Sequence, residues 1–406
     1  MKNLTISVIG LGYIGLPTAA LLANNGYFVV GMDVDPHIVK TINQGKIHFA
    51  EPDLDIFVHS AVEAGRLKAF TELKSSDVYI ICVSTPLYKK KGIPQPNIDY
   101  VLDATVNIAS LVKAGDLIIL ESTSPVGTTE KIQSILRASG VDVDEVHISY
   151  CPERVLPGKI MKELVENDRI VGGITPKATK VASHFYKTFI KGNVLETDSK
   201  TAEMCKLTEN SFRDVNIAFA NELSLICDKE GINVSSLIQL ANKHPRVNIL
   251  QPGPGVGGHC IAVDPWFIVS MDKKNSRLIK TARQINNYKT DWVIEKIKRY
   301  ALNVFTQKGA KPKIACLGLS FKPDVDDLRE SPALNIAVSL MDQGYEVVAV
   351  EPNIITHKIV ELTELDRVLN DDFILVLLVK HKEFLVQPIR EKLMYFNTLD
   401  FCGALA

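Results

Sequence analysis

LTISVIGLGYIGLPTAALLANNGYFVVGMD, residues 4–33, decides the fold. LTISVI reads as a buried strand. GLGYIG then places Gly10, Gly12 and Gly15 at the spacing of a dinucleotide-binding turn. An apolar helix pattern follows and closes at Gly26. A second strand, YFVVGMD, ends on Asp33. Strand, glycine turn, helix, strand and acid are in the order that this fingerprint requires. Gly10 permits the turn, Gly12 lets a pyrophosphate reach the backbone, and Gly15 lets helix and strand pack closely. The helix N-terminus turns its N–H groups toward the phosphates. Asp33 stands where a carboxylate binds a ribose 2′-OH and repels a 2′-phosphate, so NAD is expected over NADP.

The alternation continues through DVYIICVSTP (77–86), DLIILESTSPVGTT (116–129) and EVHISYCPER (145–154). The carboxyl ends of such strands form the binding crevice of an open α/β sheet. Thr85, Thr123 and Glu153 are therefore site candidates; the alternative for each is a cap or turn residue. Residues 201–230 read as one long helix. Lys206, Asn210 and Arg213 share a face of it at i, i+4 and i+7, with Asn221 near the same stripe. On a largely buried helix this stripe either faces a ligand or closes an internal network. The helix is also a candidate dimer interface.

The last third starts again. KIACLGLSF (313–321), SPALNIAVSLMDQG (331–344) and YEVVAVEPN (345–353) repeat the strand–helix–strand pattern and end in Glu351. GLSFKPDVDDLRES replaces GLGYIG, with Lys322 and Arg329 flanking an acidic run. Either this basic pair holds a phosphate by side chains, or the loop pairs its own charges. The fold expected is α/β: two Rossmann-like, doubly wound parallel-sheet domains joined by a central helical dimerisation domain. The boundaries expected are 1–195, 196–300 and 301–406.

PGPGVGGHCIAVDPW (252–266) sets Cys260 among backbone breakers, with His259 before it and Asp264 after it. Beside an NAD domain, a thiol has a specific use. Oxidation of an aldehyde to an acid needs a tetrahedral carbon from which a second hydride can leave. A thiolate supplies that carbon as a thiohemiacetal, and the thioester that results is hydrolysed. Gly255, Gly257 and Gly258 remove side-chain bulk and offer N–H groups to an oxyanion. The alternative is a structural cysteine in a glycine-rich turn. The other six cysteines (82, 151, 205, 227, 316 and 402) are scattered without a CxxC pair, so they read as small buried hydrophobes in a reducing cytoplasm. No metal ligand set is expected.

Composition excludes other classes. The 406 residues are 46% hydrophobic and 23% charged, with a formal net charge of -1. That balance gives no electrostatic case for nucleic acid or an acidic membrane. No apolar run approaches the roughly 20 residues of a membrane span. The strand pattern begins at once, so no signal peptide is expected.

GLGYIGLP, ESTSPVGTT, CPERVLPG, AEMCKLTEN, PGPGVGGHCIAVDP and FKPDVDDLRESPA stand in one order over essentially the whole chain. In these motifs the sequence resembles the UDP-glucose/GDP-mannose dehydrogenase family. The resemblance implies two successive NAD-dependent oxidations at C6 of a UDP-sugar, in surface polysaccharide biosynthesis. It gives Cys260 the nucleophile's place and Lys206 that of the group that moves the proton at the C6 oxygen. Asn210 and Asp264 organise water or the oxyanion, Glu153 serves thioester hydrolysis, and Thr123 lies beside the nicotinamide. Tyr13, Ile14, Asp33, Thr85 and Arg329 fall on NAD positions, with Gly10, Gly12 and Gly15. Arg154, Val155, Lys206, Asn210, Arg213, His244, Arg246, Gly257, Phe321 and Lys322 fall on substrate positions. Arg246 reaches the partner subunit's substrate, so a homodimer is implied. Glucose-oxidising members carry phenylalanine at Arg154 and serine at His259. Arg154, Arg213, His244 and Arg246 are similar instead to the branch acting on UDP-N-acetyl-D-mannosamine, where an arginine suits the 2-acetamido carbonyl. His259 can tune the thiol, touch the sugar or pack.

Overall fold

The computed structural model describes residues 4–88, 92–396 and 398–405. The chain divides into two compact units at Thr208. The first is built on eight strands: β1 (Thr5–Ile9), β2 (Phe28–Met32), β3 (Leu67–Phe70), β4 (Val78–Ile81), β5 (Leu117–Leu120), β6 (His147–Tyr150), β7 (Arg169–Gly173) and β8 (Val194–Asp198). Their order is β8-β7-β6-β5-β4-β1-β2-β3. Neighbours are parallel except β6 with β7, an antiparallel junction the sequence pattern does not announce. β4 and β5 are buried at every residue. That is why VYII and LIIL read as unbroken apolar runs rather than alternating ones.

The strand order reverses between β1 and β4, which places a crevice outside their carboxyl ends. The GLGYIG turn sits at that point. Gly10 has φ +88°, and a Cβ there would lie 2.9 Å from the Cys82 carbonyl oxygen. A Cβ on Gly15, the first residue of helix α1 (Gly15–Asn24), would lie 1.8 Å from the Gly10 oxygen. No side chain fits either place. Helices α2 (Thr128–Ala138) and α3 (Ile160–Glu166) follow β5 and β6. Helix α4 (Ser199–Glu230) runs out of this unit and into the next.

The second unit carries α5 (Asp264–Met271), α6 (Arg277–Lys308) and a smaller sheet. Its strands are β9 (Lys313–Leu317), β10 (Val347–Val350), β11 (Glu361–Leu362), β12 (Phe373–Leu377) and β13 (Leu399–Asp400). All pairs are parallel, in the order β11-β10-β9-β12-β13. Helix α7 (Pro332–Asp342) follows β9, with Ser331 as N-cap accepting from the Leu334 amide and Pro332 in the first turn. Among the described residues no helix is long and apolar enough to cross a membrane.

Candidate active site

In the first unit the dinucleotide elements assemble at the β1/β4 crevice. No atom lies within 4 Å of a Cβ built on Gly12, so the backbone there is open to a ligand. The Leu11 amide donates to Asp33 Oδ2 at 2.9 Å and the Asp35 amide to Oδ1 at 3.0 Å, which fixes the acid at the end of β2. Tyr13 stacks on Phe49 beside the turn. Thr85 and Thr123, from the ends of β4 and β5, meet directly: Thr85 Oγ1 donates to the Thr123 carbonyl at 2.6 Å. These features fit NAD: an approachable backbone, a helix start and a fixed carboxylate at the end of β2.

Beyond β6, Glu153 is 6% exposed. Its Oε1 accepts the Arg154 amide at 2.6 Å, and its Oε2 is ion-paired with Arg169. Lys206 Nζ donates to the Glu153 carbonyl at 2.7 Å, so a helix residue and a strand-end residue are joined. Arg154 Nη1 donates to the Asp168 carbonyl at 3.1 Å, and Val155 packs against the core.

In the second unit, Asn210 lies one turn beyond Lys206 on α4. Its Nδ2 donates to Asp264 Oδ2 at 2.5 Å, and both residues are buried. The Asp264 amide in turn donates to the Cys260 carbonyl at 2.8 Å, closing the turn that carries the half-buried thiol. Arg213, His244 and Arg246 are exposed. Asn221 closes an internal network: it donates to Asn286 Oδ1 and accepts the Gly253 amide, both at 2.9 Å.

Several expectations need correction. The Gly258 amide does not await an oxyanion; it donates to the Arg329 carbonyl at 3.1 Å. A Cβ on Gly257 would lie 2.6 Å from the Glu330 oxygen, and one on Gly258 would lie 2.8 Å from the Phe321 ring. These two glycines therefore let the Cys260 loop pack against the loop after β9. Arg329 is paired by its own loop: Nε donates to Asp327 Oδ1 at 2.9 Å and Nη2 to Oδ2 at 2.6 Å. Burial works against the Asp327 carboxyl, but the bonds from Arg329, aided by the charges of Arg329 and His259, hold it below the usual range. His259 is exposed and lies close enough to act on that carboxyl. Lys322 Nζ stands 5.8 Å from the Phe321 ring. Of the six other cysteines only Cys151, Cys227 and Cys316 are buried; Cys82, Cys205 and Cys402 are half-buried.

Sequence reading missed three buried groups. Glu203, one turn before Lys206, accepts the Gly127 amide at 2.6 Å and the Thr129 amide at 2.8 Å, filling the N-terminus of α2 as an anion would. Its partner VGTT was the available signal. Arg169 gave none: one arginine opening a strand reads as surface. In the sequence Glu351 reads only as a strand end. It accepts the Leu319 amide at 2.7 Å, the Ser320 amide at 3.0 Å and His381 Nε2 at 3.1 Å. Burial pushes this carboxyl up, but His381 and the amides of Leu319 and Asn353 outweigh it and hold it down at about 2. The turn amides that would cradle a phosphate in a fingerprint loop are thus used internally.

Three family models match in chain order: the NAD binding domain of the UDP-glucose/GDP-mannose dehydrogenase family over 4–190, its central domain over 200–288 and its UDP binding domain over 315–399. A UDP-N-acetyl-D-mannosamine dehydrogenase of Yersinia pestis is 52% identical over 94% of each chain. An NDP-N-acetyl-D-galactosaminuronic acid dehydrogenase of Ralstonia nicotianae is 51% identical over 94% of this chain and 91% of its own. Among solved structures, a UDP-D-ManNAc dehydrogenase of Pyrococcus horikoshii superposes with a TM-score of 0.89 at 39% identity, covering 99% of this chain and 96% of the other.

Proposed function

Because the chain belongs to the UDP-glucose/GDP-mannose dehydrogenase family, we propose that it oxidises C6 of UDP-N-acetyl-D-mannosamine to the uronate, with NAD as oxidant. The observation that carries the substrate is the 52% identity to the mannosamine enzyme over nearly the full length. NAD, when bound, accepts a hydride at each of the two oxidations. Gly10, Gly12, Tyr13, Ile14, Gly15, Asp33, Thr85 and Thr123 would hold it, and the resemblance adds Arg329 as a candidate contact. Cys260 adds to the C6 aldehyde as a thiolate, which creates the tetrahedral carbon needed for the second oxidation. Water then attacks the thioester, the C–S bond breaks and the thiol is regenerated. Lys206 moves the proton at the C6 oxygen and stabilises its charge. The Asn210–Asp264 pair orders water or the oxyanion, and Glu153 directs the hydrolytic water. Arg154, Val155, Arg213, His244, Gly257, Phe321 and Lys322 bind the UDP-sugar. The functional division stays 1–195, 196–300 and 301–406.

The chain acts as a homodimer in this reading. Phe212, Phe219 and Ile226 form an exposed stripe along α4, at i, i+7 and i+14. Arg246 would serve the partner subunit's site. The cysteines form no disulfide, which suits a reducing cytoplasm.

A second reading, the N-acetylgalactosamine sugar, rests on the Ralstonia relative at 51%. A panel of UDP-N-acetyl-D-mannosamine, UDP-N-acetylglucosamine, UDP-N-acetylgalactosamine and UDP-glucose separates them by NADH release. We expect kcat/KM highest for the mannosamine sugar. A higher value for any other sugar overturns the assignment.

A further inference from the structure

Beneath Glu153 lies a buried cluster that the reaction above does not use. Arg169, the first residue of β7, is 2% exposed and is the bulkiest of the fully buried side chains. Its Nη1 is ion-paired with Glu153 Oε2, and Nη2 donates to the Leu164 carbonyl at 3.3 Å. Its guanidinium carbon lies 5.6 Å from the centre of the Tyr186 ring. Tyr186 donates its hydroxyl hydrogen to Glu121 Oε1 at 2.6 Å, and the Cys82 thiol donates to Glu121 Oε2 at 3.3 Å. Glu121, at the end of β5, is 3% exposed.

An arginine taken fully out of water is costly unless its charge is matched. Here two buried acids, Glu153 and Glu121, surround it. Burial opposes the Arg169 charge most strongly, but Glu153 together with Cys151, Glu121 and Tyr186 outweighs it and holds the group charged. Burial also pushes the Glu121 carboxyl up, against the pull of Arg169. Glu153, by contrast, is pinned at both oxygens, by Arg169 and by the Arg154 amide. Its carbonyl also receives Lys206. One residue therefore ties together a carboxylate and an ammonium that both belong to the proposed chemistry. Where Glu153 is held, the Lys206 acceptor is held too.

We infer that Arg169 is a positioning residue for the hydrolytic half of the reaction: through its ion pair it fixes the Glu153 carboxylate, the group proposed to direct the hydrolytic water. The inference rests on the proposed role of Glu153. Arg169 touches no substrate, and its effect passes through Glu153. A carboxylate that loses its anchor samples other rotamers, and misplacement by about 1 Å can cost on the order of a hundredfold in rate. Arg169 itself is not among the proposed sugar or cofactor contacts, so turnover is expected to suffer more than binding.

The test uses the full-length enzyme with NAD and UDP-N-acetyl-D-mannosamine, and compares Arg169→Lys, Arg169→Gln and Glu153→Gln. Steady-state kinetics are paired with intact mass of protein quenched during turnover. Arg169→Gln should lower kcat on the order of a hundredfold and Arg169→Lys about tenfold, because lysine keeps the charge and loses the fork. KM for sugar and NAD should stay within about threefold, since the loss falls on a step after binding. Both variants should accumulate the thioester on Cys260. If Arg169→Gln does not fold, Arg169→Lys carries the test alone. Unchanged kcat, or a fall in kcat without the adduct, overturns the inference. If Glu153→Gln builds the adduct and the Arg169 variants do not, the positioning role alone fails. If Glu153→Gln turns over normally, the assignment of Glu153 to hydrolysis fails, and the inference goes with it.

Discussion

Lys289 shows what single residues reveal once packing is known. It sits on α6, 3% exposed, and its ammonium donates to Ser224 Oγ at 2.7 Å and lies 4.1 Å from the centre of the Trp292 ring. Its partner is a hydroxyl rather than a carboxylate. Burial lowers its pKa to about 8, with Asp228 pulling the other way and Lys296 adding to the fall. The native state therefore binds fewer protons than the unfolded chain between about pH 8 and 10.5, and stability rises with pH across that window. Below it, the buried charge is a net cost. Lys289→Met should remove that cost and stabilise the protein at pH 7 by about 1 kcal/mol or more, read as a higher denaturation midpoint. It should also flatten the rise above pH 8. A lower midpoint would contradict this account. Nothing in the sequence marked Lys289, because a lysine among KTDWVIEK reads as a solvated helix face. The Arg329 reading was half legible for a related reason. Its charge was visible, but the choice between phosphate and Asp327 depends on a two-residue turn geometry.

At the scale of elements, the strand–turn–helix units were legible because period and punctuation agreed. Residues 4–33 and 313–353 each formed the strands and helix their patterns required. The second 32-residue helix, α6, was not singled out. It buries Arg283, Asn286 and Lys289 along the stripe where apolar residues are expected, so the 3.6-residue period is blurred. Arg283 is ion-paired with the buried Asp214 at 2.6 Å, which makes the polar stripe affordable. The opposite case is α4, whose apolar residues at 212, 219 and 226 face outward. If that stripe is the dimer contact, Phe219→Glu should place a charge in an apolar seam and halve the mass seen by light scattering. A wild-type monomer, or a variant that stays dimeric, would remove α4 as the interface.

Across the whole molecule, the two sheets use one motif in two ways. In the first, Asp33 takes a single turn amide and Gly12 is left open. In the second, Glu351 takes two turn amides, and the loop that follows packs on the Cys260 segment through Gly257 and Gly258. The sequence showed the residues of both turns; which amides remain for a ligand is a matter of packing. The central claim is that Cys260 makes four-electron oxidation possible. The most direct test is the NADH yield per UDP-N-acetyl-D-mannosamine consumed, for the unaltered protein and for Cys260→Ser. We predict two NADH per sugar with uronate as the product, and no full oxidation by the serine variant. A Cys260→Ser enzyme that still releases two NADH per sugar would contradict the thioester route.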